Sequence, residues 1–101
     1  MLPASLVGHW RVRRNAGLLP NFGLSKSIGE DGHGVTRIVG LPLMPFRIRV
    51  RPDGSVELRY VWLPVRDELV PVGEAWFGRG LLFGREFCRF RLVRPPHARA
   101  P

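Results

Sequence analysis

The clearest alternation of apolar and polar residues in this chain runs from Phe46 to Trp62. Every second residue is apolar, mostly with arginine or glutamate between, and Pro52-Asp53-Gly54 divides the stretch into two halves. Strict alternation is typical of a half-buried β-strand, and Pro-Asp-Gly is a turn sequence whose glycine accepts a left-handed backbone. The pattern predicts an antiparallel hairpin with one buried side.

The register of this hairpin follows from keeping its apolar residues on one face. A two-residue loop would bring apolar and charged side chains to the same face, which a half-buried sheet does not tolerate, whereas a three-residue loop keeps the faces separate. The three-residue loop predicts the pairs Val50 with Val56, Ile48 with Leu58, Phe46 with Tyr60 and Arg49 with Glu57.

Short apolar patterns of the same kind recur along the chain and predict about eight strands. Besides the hairpin, they cover residues 6–14, 24–28, 35–39, 65–70, 75–83 and 86–94. The turns between them are short, so each strand can pair with its neighbour in sequence. We therefore predict an all-β fold, a small antiparallel up-and-down β-barrel formed by residues 1–94 as a single domain. Residues 95–101 are proline-rich and without an apolar pattern, which predicts a flexible tail.

Leucine and proline are concentrated in three predicted connections, 15–23, 41–45 and Leu63-Pro64. In an up-and-down barrel alternate connections meet at the same end, so these three gather at one end while the polar turns gather at the other. Two alternatives stay open for the apolar end: a portal through which a ligand enters, or a lid that completes the core. The portal residues would be Leu18, Leu19, Leu41, Leu43 and Met44.

The predicted inward face consists of large side chains, so a cavity in the barrel should be narrow and suited to an acyl chain or a flat hydrophobic molecule. Tyr60 is the polar group among them, and its hydroxyl needs a partner from the protein or from a ligand. Arg37 would bind an anionic head group if it points inward, and is an ordinary surface arginine if it points outward. The candidate ligand-binding residues are Trp10, Arg37, Ile48, Leu58, Tyr60, Trp62 and Phe90.

Fifteen arginines and one lysine give the chain a net charge of +8. Arg47, Arg49, Arg51 and Arg59 lie on the outer side of the predicted hairpin and form a basic face. Such a face suits the phosphates of a nucleic acid or of an anionic bilayer, or is ordinary solvated surface. The aromatic residues of the hairpin lie on its other side, which counts against base stacking here.

The sequence contains no pattern typical of a metal or catalytic site. The three histidines are too scattered for metal-ligand spacing, and Cys88 is the sole cysteine. Asp67 and Glu68 are adjacent and would point to opposite faces of a strand, which counts against a joint acid–base role. We expect no metal and no cofactor, and a barrel enzyme is an alternative without an identified acid or base. The chain has no signal-peptide pattern and no apolar run of membrane length, so a cytoplasmic location is expected.

Gly8-His9-Trp10 in the first strand, with Arg89 or Arg91 in the last, resembles the G-x-W and late-arginine signature of the lipocalin-like (calycin) barrels. The second half of the chain, residues 63–92, is similar to the bacterial G-x-W-x-G type of β-barrel domain, although Val12 stands where the second glycine would be. The resemblance implies a tryptophan packed against the arginine near the closed end of the barrel. It also implies binding of a hydrophobic or lipid-like ligand without catalysis.

The function expected from the sequence is therefore non-catalytic binding of a small hydrophobic or lipid-like ligand, with an anionic head group if Arg37 faces inward. The alternative is a nucleic-acid-binding module that uses the basic face. The expected partners are the ligand, a transient contact with an anionic membrane and a second copy of the chain, with nucleic acid as the partner of the alternative function.

Overall fold

Each strand of the protein pairs antiparallel with its neighbours in sequence, and the last strand pairs with the first. The computed structural model describes residues 2–17 and 23–95. Its strands are β1 (Gly8–Gly17), β2 (Leu24–Ile28), β3 (His33–Ile38), β4 (Leu41–Val50), β5 (Val56–Tyr60), β6 (Val65–Val72), β7 (Ala75–Leu82) and β8 (Arg85–Val93). The predicted closed up-and-down barrel of eight strands is confirmed. The predicted tail lies, from residue 96 onward, outside the described residues.

Strands β4 and β5 form the predicted hairpin in the predicted register. The pairs run from Val50 with Val56 to Phe46 with Tyr60. The loop is held by the carboxylate of Asp53, which accepts hydrogen bonds from the backbone N–H and the hydroxyl of Ser55 at 2.9 and 2.6 Å. Gly54 has a φ of +89°, the left-handed conformation that this turn requires. The alternation of apolar residues and the turn sequence were together sufficient to fix this register.

The predicted apolar loop at 41–45 is wrong, because these residues form the first half of β4. They pair with β3, and the ladder with β5 ends at Phe46 opposite Tyr60, beyond which the Pro45 carbonyl accepts one hydrogen bond from the Val61 N–H at 3.1 Å. Pro42 and Pro45 therefore lie beyond the end of the β5 ladder, where a residue without an N–H is tolerated. The connection between β3 and β4 shrinks to the turn Val39-Gly40.

Three β-bulges lie in the half of the barrel where β1 ends. Their extra residues are Asn15 in β1, Leu43 in β4 and Phe87 in β8. Bulges increase the local twist and are common at the ends of barrels. Gly80 in β7 lies beside one of them, and a Cβ atom at this position would lie 2.6 Å from the sulfur of Cys88.

One end of the barrel is closed by the chain that precedes β1. A short 3₁₀ turn, Ala4–Leu6, places Leu6 fully inside the core, and the indole N–H of Trp10 donates to the Leu6 carbonyl at 2.7 Å. The guanidinium of Arg94 lies 3.7 Å from the centre of the Trp10 ring. It also donates to the carbonyl oxygens of Ser5, Val7 and His9. We call this end, with the turns at 29–32, 51–55 and 73–74, the closed end.

The arginine that packs against Trp10 is therefore Arg94, and the expectation of Arg89 or Arg91 is wrong. Alternation along β8 puts both of these residues on the outer surface, where Arg89 pairs with Glu86 and Arg91 donates to Asn15. Arg94 follows the last residue of β8 at the level of the 3₁₀ turn, so its side chain folds back across the barrel end.

The apolar core fills the half of the barrel nearest the closed end. Its most deeply buried members are Leu6, Trp10, Phe46, Val56, Leu58, Leu69, Trp76, Phe90 and Leu92. The opposite half contains the polar side chains and the cavity described next.

Candidate functional site

A cavity of about 130 Å³ lies inside the barrel, in the half farther from the closed end. Its apolar walls come from six strands, with Val12, Leu24, Ile38, Met44, Val65 and Phe87. Lys26, Thr36 and Asp67 also line it, each two positions nearer the closed end than an apolar lining residue of the same strand. The cavity therefore has apolar sides and a polar inner end.

Four polar side chains at this inner end form one hydrogen-bonded cluster, which we call the polar network: Lys26, Thr36, Tyr60 and Asp67. Lys26 Nζ lies 2.6 Å from the Tyr60 hydroxyl, 2.7 Å from Thr36 Oγ1 and 3.0 Å from Asp67 Oδ2. The Tyr60 hydroxyl donates to Asp67 Oδ2 at 2.9 Å and lies 2.7 Å from Thr36 Oγ1. Lys26 is 4% exposed, so the ion pair with Asp67 is buried.

Strand alternation explains why these polar groups face inward. Lys26 shares the inner face of β2 with Leu24 and Ile28, and Asp67 has the equivalent position in β6. Of these four residues, Tyr60 alone was predicted to face the interior as a polar group; Lys26 and Thr36 were not predicted, and Asp67 was considered only beside Glu68 as an acid–base pair. A usable signal was present, because the single lysine of an arginine-rich chain stands at an apolar position of its strand.

Lys26 and Tyr60 in the polar network both have raised pKa values, so both keep their protons at neutral pH. Burial opposes the charge of Lys26, but the Asp67 carboxylate and the Tyr60 hydroxyl outweigh it and raise the pKa of the lysine above its ordinary value. Burial raises the pKa of the Tyr60 hydroxyl to about 12. The ammonium group also lies 5.3–5.5 Å from the ring centres of Phe46, Tyr60 and Phe90. At neutral pH the cluster therefore contains a charged ammonium and a neutral phenol.

Every donor of the polar network is used within the network. The three N–H groups of Lys26 each have an acceptor, and the Tyr60 hydroxyl donates to Asp67, so the Thr36 hydroxyl donates to Tyr60. Both bonds to Asp67 end on Oδ2, and Oδ1 has no hydrogen bond from residues 2–17 or 23–95. At the inner end of the cavity, the polar network can therefore accept a further hydrogen bond but has no unused donor.

The end of the barrel opposite the closed end carries a ring of exposed apolar side chains, which we call the rim. Its members are Val39, Leu41, Leu43, Val61, Trp62, Leu63, Leu82 and Phe83. Exposed apolar side chains are therefore concentrated at the predicted end, although residues 41–45 lie in β4 instead of a connection and residues 18–22 lie outside the described residues. Of the candidate portal residues, Leu41 and Leu43 are exposed on the rim, Met44 lines the cavity, and Leu18 and Leu19 lie outside the described residues.

The candidate ligand-binding residues do not all meet at one place. Tyr60 and Phe90 line the cavity, whereas Trp10 and Leu58 are buried in the core and Ile48 packs against it. The predicted inward orientation of Trp62 differs from the structure. Trp62 is 76% exposed, because β5 reaches the barrel end at Tyr60 and the next residues have no interior to face. Arg37, for which both orientations were open, points outward, where its Nε lies 3.4 Å from the Ser27 hydroxyl, so the structure has the surface arginine and not the inward anion-binding one.

The predicted basic face is partly neutralised by carboxylates. Glu57, almost fully buried beneath arginine side chains, lies 3.3 Å from Arg59 and 3.5 Å from Arg51. Arg51 also lies 3.1 Å from Glu68. Arg47 and Arg49 are exposed and have no ion pair with the described residues. The outward-facing charge available to a nucleic acid is therefore smaller than the sequence suggests.

Among residues 2–17 and 23–95, no three His, Cys, Asp or Glu side chains come together in a way that would hold a metal ion. No helix in this part of the chain has the length and hydrophobicity needed to cross a bilayer. Comparison with known proteins finds no matching family model, no similar curated protein and no similar solved structure. Inference about function therefore depends on the geometry of the chain itself.

Proposed function

We propose that this barrel is a non-catalytic binding protein for a small hydrophobic ligand, whose inner end occupies the cavity above the polar network. The single observation that carries the proposal is the coincidence of an apolar cavity with Asp67, a lining residue at its inner end whose Oδ1 has no hydrogen bond from the described residues. Ligand sites typically combine apolar walls with a few polar groups that orient the ligand. The rim surrounds this half of the barrel and offers apolar surface to the rest of a longer ligand.

The size of the cavity restricts what enters it. An apolar protein cavity of about 150 Å³ binds benzene, and the cavity here measures about 130 Å³. It therefore suits a single small ring or a short alkyl segment rather than a whole acyl chain. A lipid-like ligand would place one end inside and extend the remainder across Met44 toward the rim.

The polar network determines which chemical group of a ligand fits at the inner end of the cavity. Because its donors are satisfied and its free capacity is an acceptor, a hydroxyl, phenol or amide N–H fits better than a carboxylate or a phosphate. The Lys26–Asp67 pair carries no net charge, so it offers no compensation to a buried anion. We therefore propose a ligand with a neutral donor group, in place of the anionic head group expected from Arg37.

The same groups are poorly suited to catalysis at neutral pH. A lysine nucleophile or base must lose its proton, but the pKa of Lys26 is raised rather than lowered. The pKa of the Tyr60 hydroxyl is raised by burial, and burial also raises the pKa of the Cys88 thiol to about 11. Binding without reaction is the function these protonation states favour.

The contact between Trp10 and Arg94 supports the likeness to lipocalin-like barrels at the closed end. In that resemblance a tryptophan of the first strand packs against a late arginine, and here the guanidinium lies 3.7 Å from the ring centre. A small antiparallel barrel closed in this way and hollow at its other half is consistent with a lipocalin-like ligand carrier.

Three one-ring probes test the proposal in the unmodified protein: toluene, phenol and benzoate, titrated while the methyl and amide NMR signals are recorded. We expect toluene to bind with a millimolar dissociation constant and phenol at least about fivefold more tightly, because its hydroxyl reaches a charged acceptor. Benzoate should bind more weakly than toluene. If none of the three probes binds, the proposed ligand site is wrong. If benzoate binds most tightly, the site remains but the preference for a ligand with a neutral donor group is wrong.

A cavity-filling variant supplies the matched control. Val65→Phe adds a ring to the cavity wall, whereas Val72→Phe adds the same volume to an exposed position of the same strand. Phenol binding should be lost in the first variant and retained in the second. Equal binding by both would place the phenol outside the barrel.

A further inference from the structure

Two turns of the rim adopt a backbone that their side chains disfavour. Val39-Gly40 joins β3 to β4, and Phe83-Gly84 joins β7 to β8; all four residues have positive φ, 51° at both Val39 and Phe83. Such two-residue hairpin turns normally have asparagine, aspartate or glycine at the first position. A β-branched or bulky residue there is a genuine outlier. The side chains are 72% and 79% exposed, so burial of the side chain does not explain the choice.

The strained turns belong to the larger apolar surface of the rim. Of the eleven large hydrophobic side chains exposed within residues 2–17 and 23–95, eight lie on the rim. The backbone N–H of Phe83 donates to the Pro64 carbonyl at 3.0 Å, which holds the Phe83 turn beside the loop that carries Trp62. Two exposed aromatic rings are thus presented together at one end of the barrel.

The exposed carboxylates that form no ion pair with a described arginine lie in the turns of the closed end. Four of the eight acidic residues are exposed in turns of the closed end: Glu30, Asp31, Asp53 and Glu74. The other four are Asp67 inside the barrel and three wall residues, Glu57, Glu68 and Glu86, which all form ion pairs with arginine.

Arg37 and Arg85 lie at strand positions next to the turns of the rim and have no ion pair with the described residues. Glu86, the carboxylate next to the same turn as Arg85, pairs with Arg79 and Arg89. The apolar end therefore carries unpaired positive charge and no unpaired carboxylate among the described residues, although further arginines, Arg47, Arg49, Arg51 and Arg94, lie toward the closed end.

We propose that the rim docks on an anionic lipid bilayer, with Val39, Trp62 and Phe83 in the interfacial region and the arginines behind them against the lipid phosphates. Apolar side chains entering the headgroup region together with nearby basic residues are the two contributions that hold peripheral proteins on anionic membranes. The carboxylates of the closed end point away from the negative surface in this orientation. Bilayer docking thus gives a reason for exposed valine and phenylalanine at turn positions that asparagine would occupy without strain.

The test uses vesicles made of equal parts phosphatidylcholine and phosphatidylglycerol, with vesicles of phosphatidylcholine alone for comparison. Binding is measured by co-sedimentation and by tryptophan emission, which reports on Trp62 because Trp10 and Trp76 are buried. The rim variant is Val39→Asn with Phe83→Asn, and the control is Val70→Asn with Val72→Asn, two exposed valines outside the rim. Asparagine tolerates the left-handed conformation, so the rim variant is expected to fold.

We expect the unmodified protein to bind the anionic vesicles with a blue-shifted emission and to release them in high salt. The rim variant should bind at least about tenfold more weakly, and the control variant should bind as the unmodified protein does. Retention of full binding by the rim variant would overturn the proposal, as would equal binding to both vesicle types. A rim variant that only abolishes self-association, measured by sedimentation without lipid, would assign the rim to a second copy of the chain instead.

Discussion

Lys26 on β2 lies 3.0 Å from Asp67 on β6, so a single buried ion pair spans the interior of the barrel between two strands that are not neighbours in the sheet. Tyr60 on β5 and Thr36 on β3 complete its hydrogen bonds. The ion pair thus links two sides of the barrel across its interior, in addition to the hydrogen bonds between neighbouring strands. It lies at the inner end of the cavity.

Breaking this pair from one side should destabilise the barrel strongly. Lys26→Met leaves the Asp67 carboxylate buried without a counter-charge, which typically costs about 3–5 kcal/mol. Lys26→Met combined with Asp67→Leu removes both charges and should unfold at a urea concentration closer to that of the unmodified protein. Urea unfolding of Lys26→Met, Asp67→Leu and the double variant checks this. A double variant as unstable as the sum of its two single variants would contradict a coupled buried pair.

Stability should fall on the alkaline side because of Tyr60 and Lys26. Both pKa values are raised in the folded state, so above about pH 10 the unfolded chain has released protons that the folded protein still holds. Their contribution is complete below that pH and is lost as the pH rises through the folded values. Tyr60 is the only tyrosine, so its phenolate absorbance gives the test directly. We expect a native titration near pH 12 and one near pH 10 in urea; coincident curves would show that the hydroxyl is not buried.

Val39→Asn and Phe83→Asn should each stabilise the protein. A residue with a Cβ atom in the left-handed region costs about 1–2 kcal/mol, a cost that asparagine largely avoids through local hydrogen bonds. Thermal unfolding should therefore shift upward for each variant, by about 1 kcal/mol in free energy of unfolding. A downward shift would mean that these side chains stabilise the fold in solution, and the rim would then be part of the core.

Arg94→Ala should loosen the closed end. It removes the stacking on Trp10 and the hydrogen bonds to three carbonyl groups, together worth about 1–3 kcal/mol. Arg89→Ala is the matched control, since this exposed arginine pairs with Glu86 and with no other carboxylate of residues 2–17 and 23–95, and should change stability by less than about 0.5 kcal/mol. Equal effects in urea unfolding would show that the Trp10 contact contributes nothing specific.

The sequence was sufficient for elements whose local pattern agrees with their tertiary environment. In the hairpin from Phe46 to Tyr60, alternation, turn residues and loop length all point to one register, and the structure has that register. The strand order also predicted the end of the barrel at which Leu41, Leu43 and Leu63 are exposed, although Leu41 and Leu43 lie in β4 and not in a loop.

Elsewhere the deciding contacts are long-range. Lys26 reads as a surface residue until Asp67, 41 positions later by their residue numbers, is known to face it across the barrel. Trp62 continues the apolar alternation of β5, but β5 ends at Tyr60 and Trp62 is exposed beyond it. Its exposure therefore depends on the length of β5. Arg94 follows the last strand, and no periodicity indicates that it turns back over Trp10.

Intermolecular nuclear Overhauser effects between bound phenol and the methyl groups of the protein decide whether the cavity above the polar network is a ligand site. We expect contacts from the phenol ring to Leu24, Ile38 and Met44, which line the cavity, and none to Val70 or Val72 on the outer wall. Contacts confined to the outer wall or the rim, with none to the lining methyl groups, would contradict a ligand site in the cavity.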